Sequence, residues 1–117
     1  MLFRSEQEMQ VALVKLGTLK QRADAVPAPG NREYNPGWHT ALDLRNLLTV
    51  SEAIARCAIE RKESRGAHFR DDYPNKSEEA AKFNLVIRKA ADGSMQLTRE
   101  PLPPMTDEMK AIIEEMK

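Results

Sequence analysis

The side chains with chemical potential in this 117-residue chain concentrate in one run, Glu63-Ser64-Arg65-Gly66-Ala67-His68-Phe69-Arg70-Asp71-Asp72-Tyr73-Pro74. Two arginines, a histidine, two aspartates and a tyrosine crowd around one glycine, a density of opposite charge that a solvated turn does not require. Elsewhere there is little self-contained chemistry. His39 and His68 lie far apart, with no Cys-x-x-Cys, His-x-x-x-His or facial-triad spacing for a metal. There is no glycine-rich strand-to-helix loop for a dinucleotide or phosphate, and Gly-x-Ser-x-Gly is absent. The single cysteine, Cys57, sits in an alanine-rich helical stretch, where a small core residue is expected rather than a nucleophile. No catalytic, cofactor-binding or metal-ligating residue is assigned.

Two readings of the charged run stand level on physical grounds. In one, its arginines and aspartates neutralise one another at the surface, worth at most about 1 kcal/mol per pair. In the other, Arg65, Gly66, His68, Arg70, Asp72 and Tyr73 form an interface with a surface outside the chain. Side chains serving that interface would be partly exposed and weakly paired in the isolated chain.

The elements that must position this run are mostly helical. Residues 4–25 contain no proline, and Met9, Ala12, Leu13, Leu16, Leu19 and Ala23 recur at three- and four-residue steps, which predicts an amphipathic helix. Val26-Pro27-Ala28-Pro29-Gly30 ends it. Asn35-Pro36 supplies a cap and a first-turn proline for a second helix over residues 36–65. At about 30 residues, or roughly 45 Å, that helix is too long for one neighbour to cover. Ala41, Leu44, Leu48, Ser51, Ala55 and Ala58 form its main stripe, while Leu42, Leu47 and Ile54 carry apolar surface further round. Arg45, amid leucines, fits a snorkelling side chain and a buried ion pair equally well. Gly66 is expected to stop this helix in a left-handed conformation.

Beyond Pro74 the pattern changes. Residues 83–88 and 94–99 flank Ala91-Asp92-Gly93 and predict a β-hairpin over about 83–99. Pro101, Pro103 and Pro104 keep the next segment extended. Thr106 then caps a terminal helix over about 106–116, with Met109, Ile112, Ile113 and Met116 as its apolar stripe. The expected architecture is mainly α: an antiparallel helical bundle over residues 1–74, and a C-terminal extension over 75–117 with the hairpin and short helix.

Composition narrows the function classes. The chain is 41% hydrophobic but only 5% aromatic, so its core is aliphatic and thin, and its stability is expected to depend on a partner. Its charges sum to zero, which argues against a general nucleic-acid binder. One cysteine and the absence of a signal-like segment fit a reducing, cytoplasmic setting. Apolar runs are too short to enter a bilayer, so any membrane association, peripheral at most, would come through another subunit.

Asn31-Arg32-Glu33-Tyr34-Asn35-Pro36-Gly37-Trp38-His39, Ala41-Leu42-Asp43-Leu44-Arg45-Asn46-Leu47-Leu48 and the charged run together resemble the C-terminal helical domain of succinate dehydrogenase and fumarate reductase flavoprotein subunits. L-aspartate oxidase shares a version of the last motif. The resemblance covers nearly the whole chain. It implies a helical bundle packed on a flavin-binding domain that carries FAD, beside a capping domain that closes over a dicarboxylate. Partners would be those two domains and, further out, an iron–sulfur subunit. The family's flavin-attaching, proton-transferring and substrate-binding residues lie outside the stretch that this chain resembles, so none is transferred, and no FAD is expected in this chain itself. A free-standing interaction module and the tail of an L-aspartate oxidase remain the alternatives.

Overall fold

A computed structural model of the protein describes residues 4–116. The elements follow in the order α1 (Glu6–Asp24), α2 (Pro36–Glu60), β1 (Phe83–Lys89), β2 (Met95–Pro101) and α3 (Asp107–Glu115), with a 3-10 turn at Ala80–Lys82 before the hairpin. The class expected from the sequence, mainly helical with a long central helix, a small hairpin and a short terminal helix, is the one observed.

Both long helices start where their caps dictate. Ser5 Oγ accepts from the Glu8 amide and donates to the Glu8 carboxylate at 3.0 Å, a reciprocal cap legible as Ser-x-x-Glu. Asn35 accepts from the Trp38 amide, and Pro36 occupies the first turn, where its missing N–H costs nothing. The helices run antiparallel, tied by a Lys20–Glu52 ion pair and, one turn further along α1, by Arg45 to Asp24 at 3.3 Å. Arg45 and Asp24 are both exposed, so Arg45 belongs to the surface. Met9 and Ala23 of α1 pack with Leu48 and Ala58 of α2 in the buried core, flanked by half-buried Ala12, Leu13, Leu16, Ala41, Leu44 and Ala55. Leu19 and Ser51, placed on these stripes by periodicity, point outward.

α2 ends at Glu60, five residues before the expected stop at Arg65. Arg61 is already extended (φ −83°, ψ 93°), and its amide makes the last helical bond, to the Cys57 carbonyl. The cause is tertiary. Arg70 Nη1 donates to the carbonyls of Ala58 and Ile59, at 3.2 and 2.9 Å, taking acceptors that the amides of Lys62 and Glu63 would need to extend the helix. Gly66 therefore does not cap α2. It does hold φ +58°, at the first position of a two-residue turn closed by paired bonds between Arg65 and His68 at 2.8 and 3.0 Å. Positive φ at that position alone is the pattern of a type II′ hairpin turn, which favours glycine.

The hairpin pairs Phe83 with Pro101 through Lys89 with Met95. Its loop is Ala91-Asp92-Gly93, with Gly93 at φ +84° bonded back to Ala90 and Asp92 accepting from Ser94. Phe83 lies between the guanidinium groups of Arg61 and Arg99, and Arg99 also pairs with Glu60 at 2.5 Å, so the hairpin is anchored at the end of α2. α3 is capped by Thr106, which accepts from the Met109 amide, and every residue from Asp107 to Glu115 is exposed.

Candidate functional site

The charged run folds into two hubs at the point where α1 begins, α2 ends and the hairpin is attached. The largest fully buried side chains among the described residues are not apolar: they are Arg70 and Glu63. Arg70 places all five N–H donors. Nε and Nη2 form a fork onto Asp72 at 2.8 and 2.5 Å, Nη2 also reaches Glu6 at 3.2 Å, and Nη1 takes the two α2 carbonyls. Its plane stacks over the Tyr73 ring, 4.6 Å from the centroid. Asp72 in turn accepts from the Glu6 amide at 3.0 Å, so a carboxylate sits at the positive pole of α1 and a guanidinium at the negative pole of α2. The Arg70 guanidinium, joined by that amide, outweighs burial and holds the Asp72 carboxyl down to about 2.

Glu63 is the second hub. Burial would raise its carboxyl, but bonds from Arg65, the Ser77 amide and Arg61 outweigh burial and hold it at about 2. The distances are 2.5 Å from Arg61, 3.1 Å from Arg65 and 2.9 Å from Ser77. Both arginines continue outward to main-chain carbonyls: Arg61 to Ala80 and Phe83, Arg65 to Ser77. Ser64, between the hubs, accepts from the Arg70 amide and donates to the Tyr73 carbonyl at 2.8 Å. His68 bridges Arg4 and Arg61. Arg4 can only donate, so His68 Nδ1 accepts from it at 3.0 Å, and the ring proton sits on Nε2, donating to the Arg61 carbonyl at 3.1 Å. Among the described residues, no buried side-chain nitrogen or oxygen lacks a partner.

The sequence-predicted residues are thus brought together, but in unequal positions. Gly66 is exposed, Arg65, His68 and Tyr73 are half-buried, and Asp72 faces both Arg70 and α1. Arg70 is neither partly exposed nor weakly paired, so the form of the interface expectation that needed it accessible does not hold for this side chain. The hubs also recruit Glu63, Arg61, Arg4 and Glu6, which sequence reasoning passed over. Glu63 had a legible signal: it stands two residues from Arg61 and from Arg65. Glu6 and Arg4, more than sixty residues from their partners, had none. Cys57 is half-buried at the end of α2, where desolvation raises its thiol and Arg61 opposes that shift.

This geometry holds three elements together, in a chain that is similar over most of its length to parts of known proteins. Residues 1–112 match the family described as fumarate reductase flavoprotein C-term. An L-aspartate oxidase of Yersinia pestis is 42% identical over 80 residues, covering 66% of this chain and 14% of that protein. A fumarate reductase (CoM/CoB) subunit of Methanothermobacter marburgensis is 31% identical over 88 residues, covering 75% of this chain and 16% of that protein. A chain of Mycobacterium smegmatis Sdh1 solved in complex with UQ1 superposes with a TM-score of 0.82 at 40% identity, over 96% of this chain and 19% of its own length. This chain therefore spans less than a fifth of each of these relatives.

Proposed function

Because this chain belongs to the fumarate reductase flavoprotein C-terminal family, we propose that it is a docking domain that braces the flavin-binding and capping domains of an FAD-dependent dicarboxylate oxidoreductase. The observation that carries the reading is surface. The chain exposes 9333 Å², whereas a compact monomer of this mass exposes roughly 6,500 Å². Large apolar side chains stand in that surface: Leu47, Val50 and Ile54 project from one side of α2, Val14 from α1, and the stripe of α3 is open from Met109 to Met116. Tyr34, just ahead of α2 in sequence, stands fully exposed. Exposed apolar surface of this extent marks an interaction site. In this reading the two charged hubs, with Tyr73 stacked on Arg70, brace the domain from within, and the exposed Gly66 turn adds a polar contact beside the apolar one.

FAD belongs to the partner domains. The residues of this chain do not fit it, because a pyrophosphate needs the amides of a glycine-rich strand-to-helix turn. The helix that follows a strand here, α3, is reached through Leu102-Pro103-Pro104 instead. The contribution to the reaction is positional: a brace that keeps flavin and substrate groups in register matters because displacements near 1 Å cost on the order of a hundredfold in rate. Among the described residues no helix is long and apolar enough to cross a membrane. An iron–sulfur subunit and a peripheral place on the cytoplasmic face of a membrane follow as further parts of the reading. The 42% identity to an L-aspartate oxidase supports a second reading, the same brace in an enzyme acting on aspartate, itself a dicarboxylate. Co-expression with the organism's FAD-binding polypeptide tests the proposal. The purified chain alone is expected to be colourless and inactive on succinate, and the pair to co-elute with flavin absorbance. A chain that stays separate from that polypeptide, or that retains flavin by itself, contradicts it.

A further inference from the structure

A furrow runs between the outward side of α2 and the hairpin. It consists of two neighbouring cavities, of about 720 and 670 Å³, that share Ala53 and Ile87 in their linings. Val50, Ile54 and Cys57 of α2 and Leu85 and Ile87 of β1 give it an apolar floor, and Val50 and Ile54 are 57% and 56% exposed. Its charge is one-sided. Arg4 and Arg61 line one end and Lys20, Arg56, Arg88 and Lys89 the other, against a single carboxylate, Glu52. In a chain whose charges sum to zero, this is segregation.

Most of these cations are already committed. Glu52 is held between Lys20 and Arg56, Arg61 pairs with Glu63, and Arg88 pairs with Glu100. Arg4 and Lys89 differ: among the described residues neither has a carboxylate partner. Arg4 spends one Nη1 bond on His68 and keeps the rest of its planar fork, the geometry that matches a carboxylate. The two cations stand at opposite ends of the apolar floor.

We propose that this furrow seats an acidic, apolar polypeptide segment of the flavin-binding body, with one carboxylate on Arg4, another on Lys89, and apolar side chains between them on Val50, Ile54 and Ile87. The inference rests on the docking reading and specifies its surface. A flat bilayer cannot reach the floor of a furrow, and a nucleic acid would leave that floor uncovered, so a polypeptide is the occupant whose shape and charge both fit.

The test titrates the purified 117-residue chain with the organism's FAD-binding polypeptide, flavin fluorescence reporting the bound fraction. Ile54→Asp and Lys89→Glu, both at exposed positions, are each expected to weaken binding about tenfold or more, and Arg4→Glu likewise, with helicity unchanged by circular dichroism. Arg22→Glu, exposed on α1 away from the furrow, is expected to change binding less than about twofold. Binding that survives Ile54→Asp and Lys89→Glu intact overturns the furrow and leaves the docking reading standing. Failure of the unaltered chain to bind overturns both. Capture on phosphatidylserine–phosphatidylcholine vesicles that Lys89→Glu abolishes, with no binding to the polypeptide, overturns the proposal in favour of a membrane surface.

Discussion

Removing the Arg70 guanidinium takes their side-chain donor from the Glu6 carboxylate and the Ala58 and Ile59 carbonyls in one step, and leaves Asp72 only the Glu6 amide. Arg70→Ala is therefore expected to cost about 3–5 kcal/mol, the range for breaking a buried charge pair from one side, and thermal denaturation measures it. Arg70→Lys should restore only a small part, because one ammonium cannot serve a fork and two carbonyls at once. Acid acts on the same bonds. The Asp72 and Glu63 carboxyls are lowered from ordinary values of 3.8 and 4.5 to about 2, so each contributes stability that is fully present above its ordinary value and is lost as pH falls toward 2. Melting temperature should accordingly drop between about pH 4.5 and pH 2, and Glu63→Gln should flatten part of that slope. At Gly66 a Cβ would meet nothing within 4 Å, but φ is +58°. Gly66→Val is then expected to cost about 1–2 kcal/mol through backbone strain alone, and Gly66→Asn distinctly less, because asparagine tolerates that region.

At the scale of elements, the sequence carried whatever depends on neighbours in the chain. The caps at Asn35 and Thr106, the proline break after α1 and the hairpin around Asp92-Gly93 are all set within a few residues. The end of α2 was not legible, because nothing between Ile59 and Ser64 breaks a helix and the interruption comes from Arg70, folded back over more than ten residues. The same limit hid the site. Its residues were visible as a dense run, but its inward orientation depends on Glu6 and Arg4, which reach it only once α1 and α2 lie antiparallel. α3 shows the opposite case: a clear pattern of cap and stripe, with no cover. A nine-residue helix is too short to persist on propensity alone. Amide exchange in the isolated chain should therefore be fast across Asp107–Glu115 and slow across the paired parts of α1 and α2, and equal protection in all three would show α3 to be held by contacts of its own.

The whole molecule is long and open. Its radius of gyration is 19.6 Å and its extents are 63 × 34 × 33 Å, against roughly 13 Å for a compact domain of this length. Such a shape has a well-tied joint, the two hubs, and arms whose apolar sides remain in water. In the proposed reading, stability falls to the charged run, and association to the apolar side of α2 and the furrow. Hydroxyl-radical footprinting of the chain, free and bound to the FAD-binding polypeptide, separates these roles residue by residue. Leu47, Val50 and Ile54 should lose most of their reactivity on binding, while Tyr73 changes little. Unchanged reactivity along α2, with protection confined to Tyr73, would contradict the account and make the charged run itself the docking surface.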